Sequence, residues 1–216
     1  MRGQARRGCC LAIVAALASS GSAFQSADLF DEIYARGRPL EASIKTLTGR
    51  FIEESTSALL SKPVVARGTM AVIRPSQIAL HYQDPERRTV LIDATTLRVI
   101  WPSRSLDQQM PIGATQKRIQ RYFVDQSPKQ LRSQFAIVAT EASDRKGAWL
   151  VTMVPKRQQI REGLSKLELW IEQDTVMLSA LRMTFANGDT KRMQFDEVRL
   201  NPAIDAALFK PNGSLD

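Results

Sequence analysis

His81 is the only histidine in the 216-residue chain, and the two cysteines, Cys9 and Cys10, stand side by side near the N-terminus. A Ser-His-Asp triad would have to use His81, and a zinc site made of several histidines and cysteines would lack donors. His81 lies in the alternating segment IALHYQ, which is typical of a strand residue that faces solvent. The sequence contains no G-x-S-x-G, phosphate-loop or dinucleotide-binding motif. We therefore predict a protein that is not an enzyme and that uses no metal or cofactor.

Two groups of charged residues could also carry chemistry or binding. Glu53 and Glu54 are adjacent, and neighbouring residues of a strand point to opposite faces, so they cannot form an acid-base pair. A local basic cluster occurs later in the chain, formed by Lys156, Arg157, Arg161 and Lys166. A solvated helix surface is the ordinary interpretation of that cluster. Docking to an acidic partner or to anionic lipid headgroups is the alternative.

The first 23 residues have the three-part pattern of a secretory signal peptide. A positively charged start precedes the apolar run Cys9–Leu17, which is too short to span a bilayer. Small residues at Gly21 and Ala23 then predict cleavage after Ala23. The cysteines lie at the start of the apolar run, so we expect an unlipidated, soluble periplasmic protein. The Arg6-Arg7 pair leaves twin-arginine export open beside general secretion.

Cleavage would leave residues 24–216 as a single domain. This domain holds 27 Lys and Arg against 22 Asp and Glu, and it contains no cysteine. Disulfides and thiol chemistry are thereby excluded from the mature protein. Nucleic acid is not an expected partner of an exported protein, despite the positive charge.

Apolar spacing along the mature chain predicts an α+β fold. Ala27–Leu47 has helical spacing, and we expect Gly37 and Pro39 to break or kink that helix. From Thr48 the period drops to two, which predicts ten to eleven short antiparallel strands separated by turns. Asn187-Gly188 is a strong hairpin signal between the last two strands.

Shorter helical segments interrupt the strands. Ile119 and Phe123 share one helical face, a second short helix is expected to start at Ser127-Pro128, and a third ends on Gly163. A sheet of this length must curl to bury one face. We predict a strongly curved sheet with helices on its concave side, and a hollow of this kind suits acyl chains or other apolar ligands.

Three segments match a known family in their order and spacing. Gly68–Pro75 and the strand after it resemble that family's strand, Arg-Pro turn and return strand. Leu91–Pro102 is similar to its following hairpin, and Leu181–Phe209, with Asn201-Pro202, is similar to its terminal hairpin and tail. Together these segments resemble the outer-membrane lipoprotein carrier (LolA) family over nearly all of residues 28–211.

The resemblance implies a fold and a function. The fold is an incomplete eleven-stranded barrel closed by helices, with the lid in the region of 119–128. The function is that of a non-enzymatic carrier that shields lipoprotein acyl chains in the periplasm. Family members receive acylated lipoproteins from an inner-membrane lipoprotein-releasing transporter and pass them to a lipid-anchored outer-membrane receptor. We expect a monomer.

The resemblance also implies site residues. Arg74 matches the family's arginine before a proline at a strand end, which bonds to lid-helix backbone in the closed state. The expected cavity and lid residues are Met70, Val72, Ile78, Leu80, Tyr82, Ile119 and Phe123. For the lining residues an ordinary packed core is the alternative, and for Arg74 a solvent-facing strand end.

Departures from the family pattern keep other functions open. The family's Asp-Gly turn is Asp93-Ala94 here, and Leu80 replaces an aromatic residue. A periplasmic lipid-binding module, or a sensor that binds a protein partner, is therefore the alternative to a lipoprotein carrier. A lipid hydrolase would need His81 in a cleft beside a serine and an acid.

Overall fold

The computed structural model describes residues 22–111 and 127–210, with side chains from Leu29 onward. The strands are β1 (Thr46–Thr56), β2 (Val64–Ile73), β3 (Gln77–Asp84), β4 (Arg88–Ile92), β5 (Thr96–Trp101), β6 (Leu106–Pro111), β7 (Phe135–Glu141), β8 (Ala148–Pro155), β9 (Leu164–Glu172), β10 (Leu178–Phe185) and β11 (Thr190–Leu200). The helices are α1 (Ser22–Ser43), α2 (Pro128–Gln134) and α3 (Gln158–Arg161), with 3-10 turns at Pro102–Arg104 and Ala206–Phe209. None of the helices in these ranges is long and apolar enough to cross a membrane.

The eleven strands form one curved antiparallel sheet in the order β6-β5-β4-β3-β2-β1-β11-β10-β9-β8-β7. Strands β6 and β7 are its two edges and do not pair with each other, so the sheet is not closed. The predicted α+β class, the strand number and the strong curvature are confirmed. The segment 112–126, which follows β6 in sequence, lies outside the described residues.

Side chains alternate between the concave and convex faces of this sheet. On β1, Phe51 and Glu53 are buried on the concave face, whereas Ile52 between them is exposed on the convex face. Glu53 and Glu54 therefore point to opposite faces, as predicted. The Asn187-Gly188 turn joins β10 to β11, and Gly188 has the positive φ of 86° that favours glycine in such a turn.

Helix α1 lies on the concave face and packs against the half of the sheet that ends in β7. Phe30 and Ile33 are buried there in one core cluster with Trp149 and Met153. The expected break at Pro39 is wrong, because α1 continues through it to Ser43. Pro39 is on the exposed side of the helix, so its ring displaces no packed neighbour and the apolar face stays continuous.

The two short helices close one end of the same core. Ser127 caps α2 with a complete capping box: its hydroxyl accepts from the Gln130 backbone N–H, and the Gln130 side chain accepts from the Ser127 N–H. Leu131 of α2 and Ile160 of α3 are buried in the core cluster below α1. The predicted start of α2 at Ser127-Pro128 and the helical turn before Gly163 are confirmed.

On the convex face, the C-terminal segment 201–210 covers the centre of β2 and β3. Leu208 is buried against Ala71 and Ala79. Beside them His81 is only 5 % exposed, and its Nε2 lies 2.9 Å from the Leu208 carbonyl oxygen. A carbonyl only accepts hydrogen bonds, so Nε2 carries the proton and donates it. The interpretation of His81 as a solvent-facing residue is wrong, because a segment 127 positions later in the chain covers it.

The buried His81 predicts a pH dependence of stability. Burial lowers the pKa of His81, with the hydrogen bond to Leu208 opposing that shift, whereas the unfolded chain titrates near its usual value of about 6.5. As the pH falls below that value, His81 is protonated in the unfolded chain but stays neutral in the folded chain. The free energy of unfolding should then fall by up to about 1.4 kcal/mol per pH unit.

Urea unfolding between pH 7.5 and 5 measures this slope, and His81→Gln, which keeps a donor for Leu208, should flatten it. Glu53 titrates in a lower window, since its pKa lies below its ordinary value. An equal slope in wild type and variant would contradict the assignment.

Candidate functional site

An apolar cavity of about 310 Å³ lies between the C-terminal half of α1 and the centre of the sheet. We call it cavity A. The helix contributes Leu40 and Ile44 to its wall, and the sheet contributes Met70, Val72, Phe195 and Val198. Among the described residues, Glu41 is the one charged residue that lines it. The cavity therefore suits an apolar ligand whose polar end stays near Glu41.

A second apolar cavity, of about 380 Å³, lies between α1 and strands β8 to β10 and is called cavity B. Its wall includes Phe30, Tyr34, Leu131, Met153, Leu169 and Ile171. Cavities A and B share Gly37, Glu41, Val176 and Leu178. The α1 residues of both walls recur mostly three or four positions apart, so the two cavities follow one another along the apolar side of α1.

Aromatic packing fills the concave face beyond cavity A. The rings of Phe51 and Tyr82 meet edge to face, with their centroids 4.9 Å apart. Gly68 lies beneath them, and a Cβ atom there would come within 2.8 Å of Phe51 Cζ and would also clash with the His81 carbonyl. Only glycine lets the two strands and the Phe51 ring approach this closely. This packing forms one core cluster with Met70, which lines cavity A, and we call it the floor.

Beyond the floor lies a buried carboxylate with its partners. The Tyr82 hydroxyl donates to Glu53 Oε2 at 2.6 Å, and Lys191 Nζ lies 3.0 Å from Glu53 Oε1. The Arg88 guanidinium stacks 3.8 Å from the Tyr82 ring centroid. Burial alone would raise the pKa of Glu53, but the bond from Tyr82 and the charges of Lys191 and Arg88 lower it below its ordinary value. Glu53 is therefore held as a carboxylate.

At the opposite end of the hollow, Arg74 holds α1 against the end of β2. Its Nη1 donates to the Glu41 backbone oxygen at 2.9 Å, and its Nη2 lies 3.4 Å from Glu41 Oε1. The Arg74 backbone N–H also donates to the Lys45 carbonyl at 2.9 Å. Arg74, at the end of β2, thereby bonds to the C-terminal turn of α1. The resemblance had implied a different partner for it, a lid helix after β6.

The structure brings some of the residues expected at the site together. Met70 and Val72 line cavity A. Tyr82 is part of the floor, Leu80 packs beside it, and Ile78 lies opposite Val72 on the neighbouring strand. None of these last three lines cavity A or B. Ile119 and Phe123 lie outside the described residues.

Sequence reasoning missed the contribution of α1 and β11 to the wall. Gly37, Leu40 and Ile44 have helical spacing and line one side of α1, so their spacing could have identified them. Phe195 and Val198 are on strand β11, which approaches β2 only through the pairing of β1 between them. That pairing links residues more than a hundred positions apart, and no local pattern reports it.

Comparison with known proteins assigns the chain to a family. Residues 42–212 match the family model described as outer membrane lipoprotein carrier protein LolA. The chain belongs to the LolA family. Its incomplete barrel with α1 on the concave face is thus a LolA-like fold. No curated protein matches the sequence.

Several solved structures are similar to this one. A conserved protein of Thermus thermophilus is 12% identical with a TM-score of 0.50, and the match covers 84% of this chain and 93% of that one. MucB is 15% identical with a TM-score of 0.50, and the match covers 89% of this chain and 64% of MucB. The Pseudomonas aeruginosa complex of MucB with MucA is also similar. The lipoprotein LppX of Mycobacterium tuberculosis is 12% identical with a TM-score of 0.48, and the match covers 82% of this chain and 98% of LppX. At these identities the likeness concerns the fold alone.

Loss of Arg74 should loosen the end of α1. Arg74→Ala removes both side-chain contacts to Glu41, and for a partly exposed pair we expect a cost of about 1 kcal/mol. Amide hydrogen exchange in the last turns of α1 should then speed up several-fold, while exchange in β8 and β9 stays unchanged. Arg50→Ala is the matched control, because it removes an exposed ion pair to Glu197 (3.3 Å) that does not involve α1. Equal exchange in both variants would contradict the role of Arg74.

Loss of the Tyr82 hydroxyl should destabilise the floor. Tyr82→Phe leaves Glu53 buried without its shortest donor, which costs roughly 1–3 kcal/mol of unfolding free energy. Urea denaturation at pH 7 measures the change. In a Glu53→Gln background the same substitution should cost less, because no buried charge then depends on the hydroxyl. A full, additive cost in that background would show that the bond to Glu53 is not its cause.

Proposed function

We propose that this protein is a periplasmic carrier of acylated lipoproteins, exported by a signal peptide at residues 1–23. It would receive its cargo from an inner-membrane lipoprotein-releasing transporter and deliver it to a lipid-anchored receptor of the outer membrane. The observation that carries the proposal is cavity A, an apolar hollow inside a LolA-family fold. We infer that the protein works by binding, without catalysis.

The cargo explains why such a hollow is needed. A triacylated lipoprotein carries about fifty methylenes, and each costs about 0.8 kcal/mol when it is exposed to water. Free diffusion of such a molecule through an aqueous compartment is negligible. A carrier must therefore supply apolar surface that is hidden when the protein is empty and available when cargo arrives.

Helix α1 provides a way to meet both conditions. Cavities A and B, of about 310 and 380 Å³, adjoin along its apolar side. Displacement of α1 would join them and expose the buried faces of Leu40 and Ile44 to the cargo. Arg74 holds the C-terminal turn of α1 through Glu41, so we propose that Arg74 stabilises the closed state.

The size of the cavities favours a second candidate, a carrier of a single-chain lipid. Each compartment is at the lower end of the range of roughly 300–1,000 Å³ that is usual for pockets of one small ligand. A free fatty acid or a lysolipid would fit without movement of α1, whereas three acyl chains would require it.

Mass spectrometry of the protein purified from cells without detergent separates the candidates. A lipoprotein carrier should co-purify with intact acylated polypeptides, and a carrier of a single-chain lipid with free fatty acids or lysolipids. Protein that emerges without any acyl compound, from cells in which a known lipoprotein carrier is recovered loaded, would contradict both.

Filling cavity A should abolish acyl-chain binding. Val72→Trp places an indole in the cavity, and we expect the affinity for a fluorescent long-chain fatty acid to fall at least tenfold. Ile52→Trp is the matched control, since Ile52 is on the convex face and 40% exposed. Val72→Ala, which enlarges the cavity with little risk to folding, should retain binding. Unchanged titration curves for Val72→Trp would place the binding site elsewhere.

A further inference from the structure

The β1–β2 loop, Ser57–Pro63, presents large apolar side chains to water. Leu59 at its tip is 94% exposed, and Leu60 and the first residues of β2, Val64 and Val65, are exposed as well. Single exposed apolar residues are ordinary on protein surfaces, whereas several in one place mark a contact surface. The loop is therefore a candidate for contact with another apolar phase.

Hydrogen bonds hold this loop in shape. The Leu60 N–H donates to the Ser57 carbonyl at 3.0 Å, and the Leu59 N–H donates to the Ser57 hydroxyl at 3.3 Å. At its base, the hydroxyls of Thr56 and Thr190 are 2.6 Å apart and bridge β1 to β11. The turn thus keeps the Leu59 side chain away from the sheet, and water is its main neighbour.

The end of the sheet that carries this loop is basic. In the antiparallel order, the segments at this end are 57–63, 85–87, 102–105, 127–134, 156–163 and 186–189. They hold eight Lys and Arg against three Asp and Glu. The described segments at the opposite end are 44–45, 74–76, 93–95, 142–147, 173–177 and 201–210. These hold five Lys and Arg against four Asp and Glu, so among the described segments the excess of positive charge is concentrated at the end that carries the leucine loop.

We propose that this end of the protein docks on an anionic lipid surface, with Leu59 and Leu60 inserted at the boundary between headgroups and acyl chains. Exposed leucines on a surface that also carries several cations are the combination that binds peripheral proteins to anionic membranes. A projecting tip offers no groove to a folded acidic partner, which is why the observations favour a lipid surface. The docking surface does not depend on the proposed function, because it is separate from cavity A.

Co-sedimentation with lipid vesicles tests the proposal. The full mature chain should bind vesicles of phosphatidylcholine with 30% phosphatidylglycerol at low salt and should bind pure phosphatidylcholine weakly. Leu59→Ser should lower the partition coefficient roughly tenfold, the expected loss for one inserted leucine. Arg157→Glu, at the basic end, should weaken binding at low salt and have little effect at high salt.

Matched variants make the test specific. Val138→Ser removes an apolar side chain that is 49% exposed on the convex face of β7, and Lys146→Glu reverses an exposed charge at the opposite end. Both should bind vesicles as wild type does. Urea midpoints of all variants should agree, since each changed side chain is exposed. Fatty-acid binding is titrated in parallel, and it should be unchanged in every variant whether or not cavity A carries acyl chains in cells.

Three outcomes would overturn the proposal. The first is an absence of binding to anionic vesicles. The second is equal binding by wild type and Leu59→Ser. The third is salt-dependent binding to poly-glutamate without binding to vesicles, with no change in Leu59→Ser. This result would indicate that the basic end binds an acidic protein.

Discussion

The gap between β6 and β7 leaves the concave face of the sheet without a second sheet to cover it. An apolar face of this extent cannot remain in water, and in the described part of the chain α1 is the long element that lies against it. The apolar side chains of one helix do not fill the whole hollow, so space remains between α1 and the sheet. Cavities A and B are that space.

The two ends of the hollow are closed by different chemistry. At one end, Phe51 and Tyr82 pack over Gly68, and the buried Glu53 carboxylate ties Tyr82 to Lys191. Breaking that network would leave a buried charge unpaired, so it is a permanent floor. At the other end, the Arg74 side chain is partly exposed and bonds to the last turn of α1. Water can replace those bonds, so this end is closed more weakly than the other.

Local patterns in the sequence were sufficient for the strands, the Asn187-Gly188 hairpin and the Ser127 cap, because each depends on residues within a few positions. They failed where distant segments meet. His81 has the spacing of a solvated residue, and only the return of the chain at Leu208 buries it. Glu53 looked like an ordinary strand glutamate, although Tyr82 and Lys191 make it part of a buried network. The family resemblance indicated Arg74 as a site residue. Its partner Glu41 is on α1, 33 positions earlier in the chain, and no local pattern links the two.

The strength of the Arg74 contact bears on how a carrier of this design would load. A partly exposed ion pair with one good hydrogen bond stabilises the closed state by about 1 kcal/mol. Burial of two cargo methylenes, at about 0.8 kcal/mol each, already exceeds that amount. A long acyl chain would therefore offset the loss of the Arg74 contact, and the apolar packing of α1 would account for the larger part of the cost of opening. Release would then be the difficult step, because the cargo must leave for a site that buries its chains at least as well.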